Sequence, residues 1–413
     1  MIKLTAPAAN IDANICLPRS KSESNRALLL QKLAENIRVL HVSDAEDSQI
    51  MQNLLALSAE SGGLNVGAAG TVMRFLTAFC ALQVGKTYTL FGTNRMHERP
   101  ISPLVDALIS LGADIEYTEK IGFPPLRICG AVLRGGEVHI AGNVSSQYIS
   151  ALMMIAPCLA GGLVIRLTSD LISASYAEMT AQMMRHFGAI VAISDKQISV
   201  SGGGYNSGTW LVESDWSAAS YWYAVLAFAP ASARIRLDGL KADSLQPDFA
   251  CVDIFRQFGI QTQFDDLGAT IQKMPDSTMP DSFQHDFSRC PDIAQTLAVV
   301  CAGLGIPARL DGLQTLRIKE TDRIAALAAE LQKLQCSSQA GEDYLHIFAS
   351  QIQQTDEIIC TYHDHRMAMA FAPLALVVGN ISIQNPEVVG KSFPHFWREW
   401  SRLTNWGKLV YVS

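Results

Sequence analysis

Long apolar helical stretches, each entered through a short polar turn, recur at six places along the chain. They begin near Lys21, at Gly70-Thr71, at Ser145-Ser146-Gln147, at Ser217-Ala218-Ala219-Ser220, at Pro291-Asp292 and at His365-Arg366. After the first, the starts lie roughly 70–75 residues apart, longer than a solenoid period and suited to a small α/β module. Amphipathic helices are predicted behind them, for example over 104–111, 176–187, 249–258 and 324–334. Three of these run into Leu111-Gly112, Phe187-Gly188 and Phe258-Gly259, where glycine is the expected residue just past a helix end. A β-type segment such as 189–193 follows. Each module therefore reads strand, apolar helix, strand, amphipathic helix, strand pair, which is an α/β pattern. The apolar helix has no wet face and must be covered on every side, while the amphipathic one keeps a polar face. The best boundary is near Val212-Glu213-Ser214-Asp215, with three modules on either side.

A chain of 413 residues suggests two or more domains with large cores. With 49% hydrophobic and 17% charged residues it is globular and not disordered. The net charge of −7 argues against a general nucleic-acid or membrane-surface binder. Any basic cluster must then be local, which suggests a small anionic ligand. The nine cysteines are scattered and never spaced Cys-x-x-Cys, which fits a reducing cytoplasm. The start of the sequence shows no signal-peptide pattern, and the longest apolar run, 151–165, is broken by Pro157, Gly161 and Gly162.

The module turns hold the candidate chemistry. In Pro18-Arg19-Ser20-Lys21-Ser22-Glu23-Ser24-Asn25-Arg26, serines that can cap a helix stand beside the cations Lys21 and Arg26, a pattern for an anion such as phosphate. Gly70-Thr71 with Arg74 allows close approach to backbone. Ser145, Ser146 and Gln147, then Asp292, then His365 and Arg366, occupy the later turns. Two further polar clusters are Arg95-Met96-His97-Glu98-Arg99-Pro100 and Arg317-Ile318-Lys319-Glu320-Thr321-Asp322-Arg323. Each alone also reads as a capped, solvated helix start. Gly202-Gly203-Gly204 reads as a hairpin turn. Gly390-Lys391-Ser392 lacks the earlier glycine of a P-loop, because Asn385 stands there. His363-Asp364-His365 has no third ligand at sensible spacing, so no metal is assigned.

In this order, the motifs resemble the 5-enolpyruvylshikimate-3-phosphate synthase family over nearly the full length. The matching residues are Ser20-Lys21-Ser22 with Asn25-Arg26, Ala69-Gly70-Thr71 with Met73-Arg74, Glu98-Arg99-Pro100-Ile101 and Ser145-Ser146-Gln147. Pro291-Asp292, Lys319-Glu320-Thr321-Asp322-Arg323, Asp364-His365-Arg366-Met367-Ala368-Met369 and Lys391-Ser392-Phe393-Pro394 complete the match. The resemblance implies an α/β fold, a two-domain inside-out α/β barrel. Each domain holds three βαβαββ repeats with buried parallel helices. The expected domains are 1–17 plus 214–413 and 18–213, with the active site in the cleft between them. The first strand segment would join the C-terminal domain, so the chain would cross twice.

The resemblance also implies transfer of the enolpyruvyl group of phosphoenolpyruvate to the 5-hydroxyl of shikimate 3-phosphate, with release of phosphate and no metal or organic cofactor. Lys21, Ser22, Arg26, Ser145, Ser146, Gln147, Ser173, Tyr176, Asp292 and Lys319 would hold shikimate 3-phosphate. Lys21, Gly70, Arg99, Gln147, Arg323, Arg366 and Lys391 would hold phosphoenolpyruvate. The catalytic candidates are Asp292 as base and Glu320 as acid, with Lys21 a second candidate for proton delivery. A raised Glu320 pKa would be needed, which burial favours and flanking cations oppose. A cytoplasmic monomer is expected, with no nucleic-acid or membrane partner.

The chain departs from the family pattern at Arg19, usually Gly, at Ala68, usually Asn, at Phe75, usually Pro, and at Thr315, an Asn in some members. Ala68 and Phe75 flank the Gly70 turn, so the pocket that glyphosate occupies in this family is expected to be reshaped. Inhibition is still expected. The alternatives are UDP-N-acetylglucosamine enolpyruvyl transferase, which carries Lys-Asn where this chain has Lys21-Ser22, and a non-catalytic anion-binding paralogue.

Overall fold

The computed structural model describes residues 1–6, 11–143, 145–231, 233–275, 277–403 and 410–411. Contacts divide the chain into two compact units, Ser20–Val212 on the one hand and Met1–Arg19 with Glu213–Ser413 on the other.

In the Ser20–Val212 unit, three helices touch one another: Lys21–Leu33, Gly70–Ala81 and Ser146–Ile155. Eleven of the twelve residues of the Gly70–Ala81 helix are buried, as a helix apolar on all sides requires. Around them stand two four-stranded sheets of one design. In the first, Gly62–Asn65 runs parallel to Thr87–Phe91, which is antiparallel to Leu126–Cys129, itself antiparallel to Asp114–Tyr117. The second repeats this with Gly136–Ile140, Leu163–Leu167, Gln197–Val200 and Val191–Ser194. The third is a pair, Ile37–Leu40 parallel to Gly208–Leu211.

The other unit is built likewise. Its buried helices Trp216–Phe228, Ala294–Leu304 and His365–Phe371 also touch pairwise. Its sheets run Asp12–Ile15, Arg234–Asp238, Gly268–Lys273, Ile260–Asp265; then Phe283–Asp286, Ala308–Asp311, Leu345–Ile347, Ser338–Ala340; then Ile358–Ile359, Asn380–Ile383, Ile2–Thr5, Val410–Tyr411. In each, the first pair is parallel and the other two are antiparallel. This is the two-domain inside-out α/β fold, with parallel buried helices.

Two strand–helix junctions are exchanged. Asp12–Ile15 leads toward the Lys21–Leu33 helix yet pairs with Arg234–Asp238. Gly208–Leu211 leads toward the Trp216–Phe228 helix yet pairs with Ile37–Leu40. The amphipathic helices fall at Ser102–Ser110, Ala174–His186, Cys251–Arg256 and Arg323–Lys333. Gly188, just past the second, has φ +81°, the left-handed conformation that closes a helix.

Two expectations need correction. Gly202-Gly203-Gly204 is not a hairpin turn, because the strands on either side, Gln197–Val200 and Gly208–Leu211, belong to different sheets. The amide N–H groups of Gly203 and Gly204 donate instead to the Pro157 carbonyl. The helix expected over 249–258 begins as a 3-10 turn, Pro247–Ala250. Among the described residues no helix is long and apolar enough to cross a membrane.

Candidate active site

Four buried helices start under a side-chain cap from a serine or an aspartate. Ser20 accepts from the amide of Glu23, Ser145 from Gln147, Asp215 from Ala218 and Asp364 from Arg366. The candidate residues collect near these and neighbouring helix starts, in two sets in the Ser20–Val212 unit and one in the other.

In the Ser20–Val212 unit, Lys21 is half-buried and pairs with buried Asp47 at 3.1 Å. Arg26 is buried, and its hydrogen-bond partners are neutral. Its Nε donates to Thr180 Oγ1 at 2.7 Å, and its terminal nitrogens to Ser150 Oγ at 3.3 Å and the Ser22 carbonyl at 3.0 Å. Its guanidinium carbon stands 5.6 Å from the Phe75 ring and 5.8 Å from that of Tyr176, within cation–π range. Burial lowers its pKa to about 10, with Tyr176 and Glu23 opposing. Phe75 thus covers Arg26 from the side of the Gly70–Ala81 helix. Ser173, at φ +57°, precedes the Ala174–His186 helix that carries Tyr176 and Thr180. A non-glycine residue held there is a strained position of the kind that gathers at functional sites.

A second knot forms where Gly70 begins its helix. A Cβ on Gly70 would lie 2.6 Å from one terminal nitrogen of Arg99, so the glycine lets this buried guanidinium rest on the backbone. Arg74, also buried, donates to the carbonyls of Gly70 and Pro100 at 3.2 and 3.1 Å. Gln147 reaches Thr71 Oγ1 at 2.9 Å. Ser145 and Ser146 are half-buried beside it, and Ala68 lies exposed in the loop ahead of Gly70.

The other unit gathers four cations and three carboxylates. Asp292 lies 3.1 Å from Arg323, 3.1 Å from Arg366 and 3.8 Å from Lys319. Glu320 lies 3.0 Å from Arg323 and 2.7 Å from Lys391. Arg323 is fully buried and also meets Asp364 at 2.6 Å. Burial alone would lower its pKa, but Asp364, Glu320 and Asp292 together hold it above the usual value. Arg366 further donates to Tyr221 Oη at 3.4 Å and Ser217 Oγ at 3.3 Å.

Backbone strain borders this group as well. Tyr362 and His363, at φ +54° and +56°, precede Asp364, and Asn385, at φ +43°, precedes the 3-10 segment Pro386–Lys391. Buried Glu330 fixes the first bend by accepting from the Tyr362 hydroxyl at 2.6 Å and the Cys360 amide at 2.9 Å.

Within each unit, then, the assigned residues converge. Ser22, Arg26 and Tyr176 form one set, Gly70, Arg99 and Gln147 with Thr71 a second, and Asp292, Lys319, Glu320, Arg323, Arg366 and Lys391 a third. Sequence reasoning missed their partners: Asp47, Ser150, Thr180, Asp364 as the clamp on Arg323, and Ser217 with Asp248. Two of them had a signal in sequence: Asp364 within a family motif and Ser217 at a helix start.

The sequence model of the family described as EPSP synthase (3-phosphoshikimate 1-carboxyvinyltransferase) matches residues 5–400. A 3-phosphoshikimate 1-carboxyvinyltransferase of Bacteroides fragilis is 46% identical over 400 residues, covering 96% of this chain and 96% of its own. One from Cellvibrio japonicus is 38% identical over 430 residues, covering 97% and 99%. Among solved structures, EPSP synthase from Acinetobacter baumannii superposes with a TM-score of 0.80 at 22% identity, covering 99% of this chain and 100% of its own. The enolpyruvyl transferase NikO from Streptomyces tendae gives 0.77 at 12% identity, covering 100% and 99%. These two likenesses bear on the fold alone.

Proposed function

The chain belongs to the EPSP synthase (3-phosphoshikimate 1-carboxyvinyltransferase) family, and on that premise we propose which residues carry its reaction and how. The reaction transfers the enolpyruvyl group of phosphoenolpyruvate to the 5-hydroxyl of shikimate 3-phosphate and releases phosphate, a step of the shikimate pathway. The hydroxyl oxygen adds to the enol carbon while the methylene carbon gains a proton. Phosphate then leaves as that methyl group gives a proton back.

One observation supports the assignment most: Asp292 and Glu320 each sit on cations that an anionic substrate would need. In this reading the carboxylate and phosphate of phosphoenolpyruvate take Arg323, Arg366 and Lys391, with Arg99, Gly70 and Gln147 from the other group. Shikimate 3-phosphate takes Ser22, Arg26, Ser145, Ser146, Gln147, Ser173, Tyr176 and Lys319. Lys21 serves both, once drawn from Asp47. Losing its cations leaves Asp292 a stronger base, placed to take the 5-hydroxyl proton. Glu320, relieved of Lys391 and facing substrate anions, gains affinity for a proton and delivers it to the methylene carbon. The cations paired with Glu320 oppose its acid role, and substrate anions that draw them away favour it. No metal or organic cofactor enters this scheme, and the working unit in it is a monomer.

Phosphate release with both substrates tests the assignment. Turnover is expected with shikimate 3-phosphate and none with UDP-N-acetylglucosamine in its place; the reverse would overturn it. Glu320→Gln is expected to lower kcat by about 10²–10⁴ while both substrates still bind. Near-normal turnover would remove Glu320 from the acid role. Glyphosate is expected to compete with phosphoenolpyruvate, and inhibition insensitive to phosphoenolpyruvate concentration would count against that.

A further inference from the structure

Asp248 is a buried carboxyl that the reaction just outlined does not use. It lies in the 3-10 turn Pro247–Ala250 and is 3% exposed. Its Oδ2 accepts a hydrogen bond from the Ser217 hydroxyl, while its Oδ1 is buried without a hydrogen-bond partner among the described residues. Ser217 Oγ in turn accepts from Arg366 at 3.3 Å, and the same guanidinium nitrogen lies 3.1 Å from Asp292. The four side chains form a line: Asp248, Ser217, Arg366, Asp292.

A hydroxyl has one proton to give. An ionised Asp248 can only accept, so it claims that proton and leaves the serine oxygen's lone pairs for Arg366. A protonated Asp248 can itself donate to Ser217, and the serine proton is then free to turn toward the guanidinium, where it repels. We propose that Asp248, acting through Ser217, is a positioning residue that fixes Arg366 for the carboxylate of phosphoenolpyruvate. The inference rests on the assignment of Arg366 to that substrate.

Facing Asp248 are Asp292 and Cys290 from the Pro291–Ile293 turn and its entry, Arg366 from the His365–Phe371 helix, Asp215 from the cap of the Trp216–Phe228 helix, and Cys251 at the start of the Cys251–Arg256 helix that follows its turn. Burial first, then Asp292, push the Asp248 carboxyl up to about 7, against Arg366 and the Ser217 hydrogen bond. The ionised, positioning form therefore prevails above neutrality and is lost as the pH falls through that value.

The test is the KM for phosphoenolpyruvate at saturating shikimate 3-phosphate, from about pH 6 to about pH 9, for the wild type, Asp248→Asn, Ser217→Ala, the double variant and Arg366→Lys. At about pH 8, Asp248→Asn and Ser217→Ala are each expected to raise this KM about 5–10-fold, the size of one lost hydrogen bond, with the KM for shikimate 3-phosphate held within about twofold. The double variant is expected to be no worse than either single one, since both break the same relay. The wild type is expected to lose affinity toward low pH more steeply than the Asp248 and Ser217 variants; the substrate's own titration is common to all five proteins. Ser217→Ala removes one oxygen and keeps the test valid if Asp248→Asn misfolds. Profiles of both variants that superimpose on the wild type would overturn the inference while Arg366→Lys still raises the KM. An Arg366→Lys variant with unchanged KM would instead overturn the assignment of Arg366 on which it stands.

Discussion

Arg323 carries the heaviest electrostatic commitment in the candidate site. A guanidinium with 2% of its side chain exposed is costly to bury, and Asp364, whose side chain is fully buried, is its nearest compensation at 2.6 Å. Asp364 also caps the His365–Phe371 helix. Asp364→Ala therefore leaves a buried cation short of a partner and a helix start without its cap. It is expected to destabilise the protein by about 3–5 kcal/mol, read from urea unfolding. A loss under about 1 kcal/mol would show that Asp292 and Glu320 suffice to hold Arg323. Asp248 makes the opposite prediction. With its pKa raised to about 7 in the fold, it favours the folded state fully only below its unfolded pKa, and that contribution is lost as the pH rises from about 4 through about 7. Asp248→Asn does not titrate, so at about pH 8 it is expected to be more stable than the wild type, by on the order of 2–4 kcal/mol, with the gap closing toward about pH 4. Equal stability at both pH values would contradict it. Arg99 and Lys391 do not open a helix and came from the family resemblance, whereas Lys21, Arg26, Asp292, Arg323 and Arg366 were readable in sequence because each sits at or near a helix start. Their partners were not. Thr180 lies 154 residues from Arg26, and no local spacing encodes that contact.

Gly70 shows how a helix start does chemical work. In an exposed helix interior, Gly→Ala gains roughly 1 kcal/mol of helix propensity. Here the new Cβ would meet the Arg99 guanidinium at 2.6 Å, so the arginine must move. Gly70→Ala is expected to leave the thermal midpoint near the wild-type value while raising the KM for phosphoenolpyruvate at least about 10-fold. An unchanged KM would mean that Arg99 shifts freely and that its contact with Gly70 does not set the site. At this scale the sequence was most legible. The apolar stretches that begin near Lys21, Ser145, Ser217 and His365 mark buried helices directly, since a full apolar girth must be covered on every side; that Asp215 and Asp364 cap two of them came from the structure. Shorter features were harder to read. The 3-10 turn Pro291–Ile293 and the loop through Gly202-Gly203-Gly204 depend on which strands pair, and strands of four or five residues carry too little periodicity to declare partners.

Strand exchange is the feature of the whole chain that local pattern could not supply. Nothing in Asp12–Ile15 says that it will pair with Arg234–Asp238, more than two hundred residues on, while the helix that follows it belongs to the other unit. The chain's first strand goes further. Ile2–Thr5 is an inner strand, flanked by Asn380–Ile383 and Val410–Tyr411, so two stretches near the C-terminus depend on it. Ile2 and Leu4 are fully buried, which at about 1.5–3 kcal/mol each is worth roughly 3–6 kcal/mol before the ladder hydrogen bonds are considered. Removing residues 1–6 would also bare the edge of Asn380–Ile383 as a template for pairing with other chains. The truncated chain is therefore expected to lose the stability of the unit that carries Asp292, Glu320 and Arg366, and to aggregate at concentrations where the full chain stays dispersed. Hydrogen exchange can separate the two units: amides of Asn380–Ile383 should lose protection, while those of Thr87–Phe91, whose sheet lies wholly within Ser20–Val212, should keep it. Retained protection at both would mean that the first strand is dispensable, and that the sheet closes without the segment threaded through its middle.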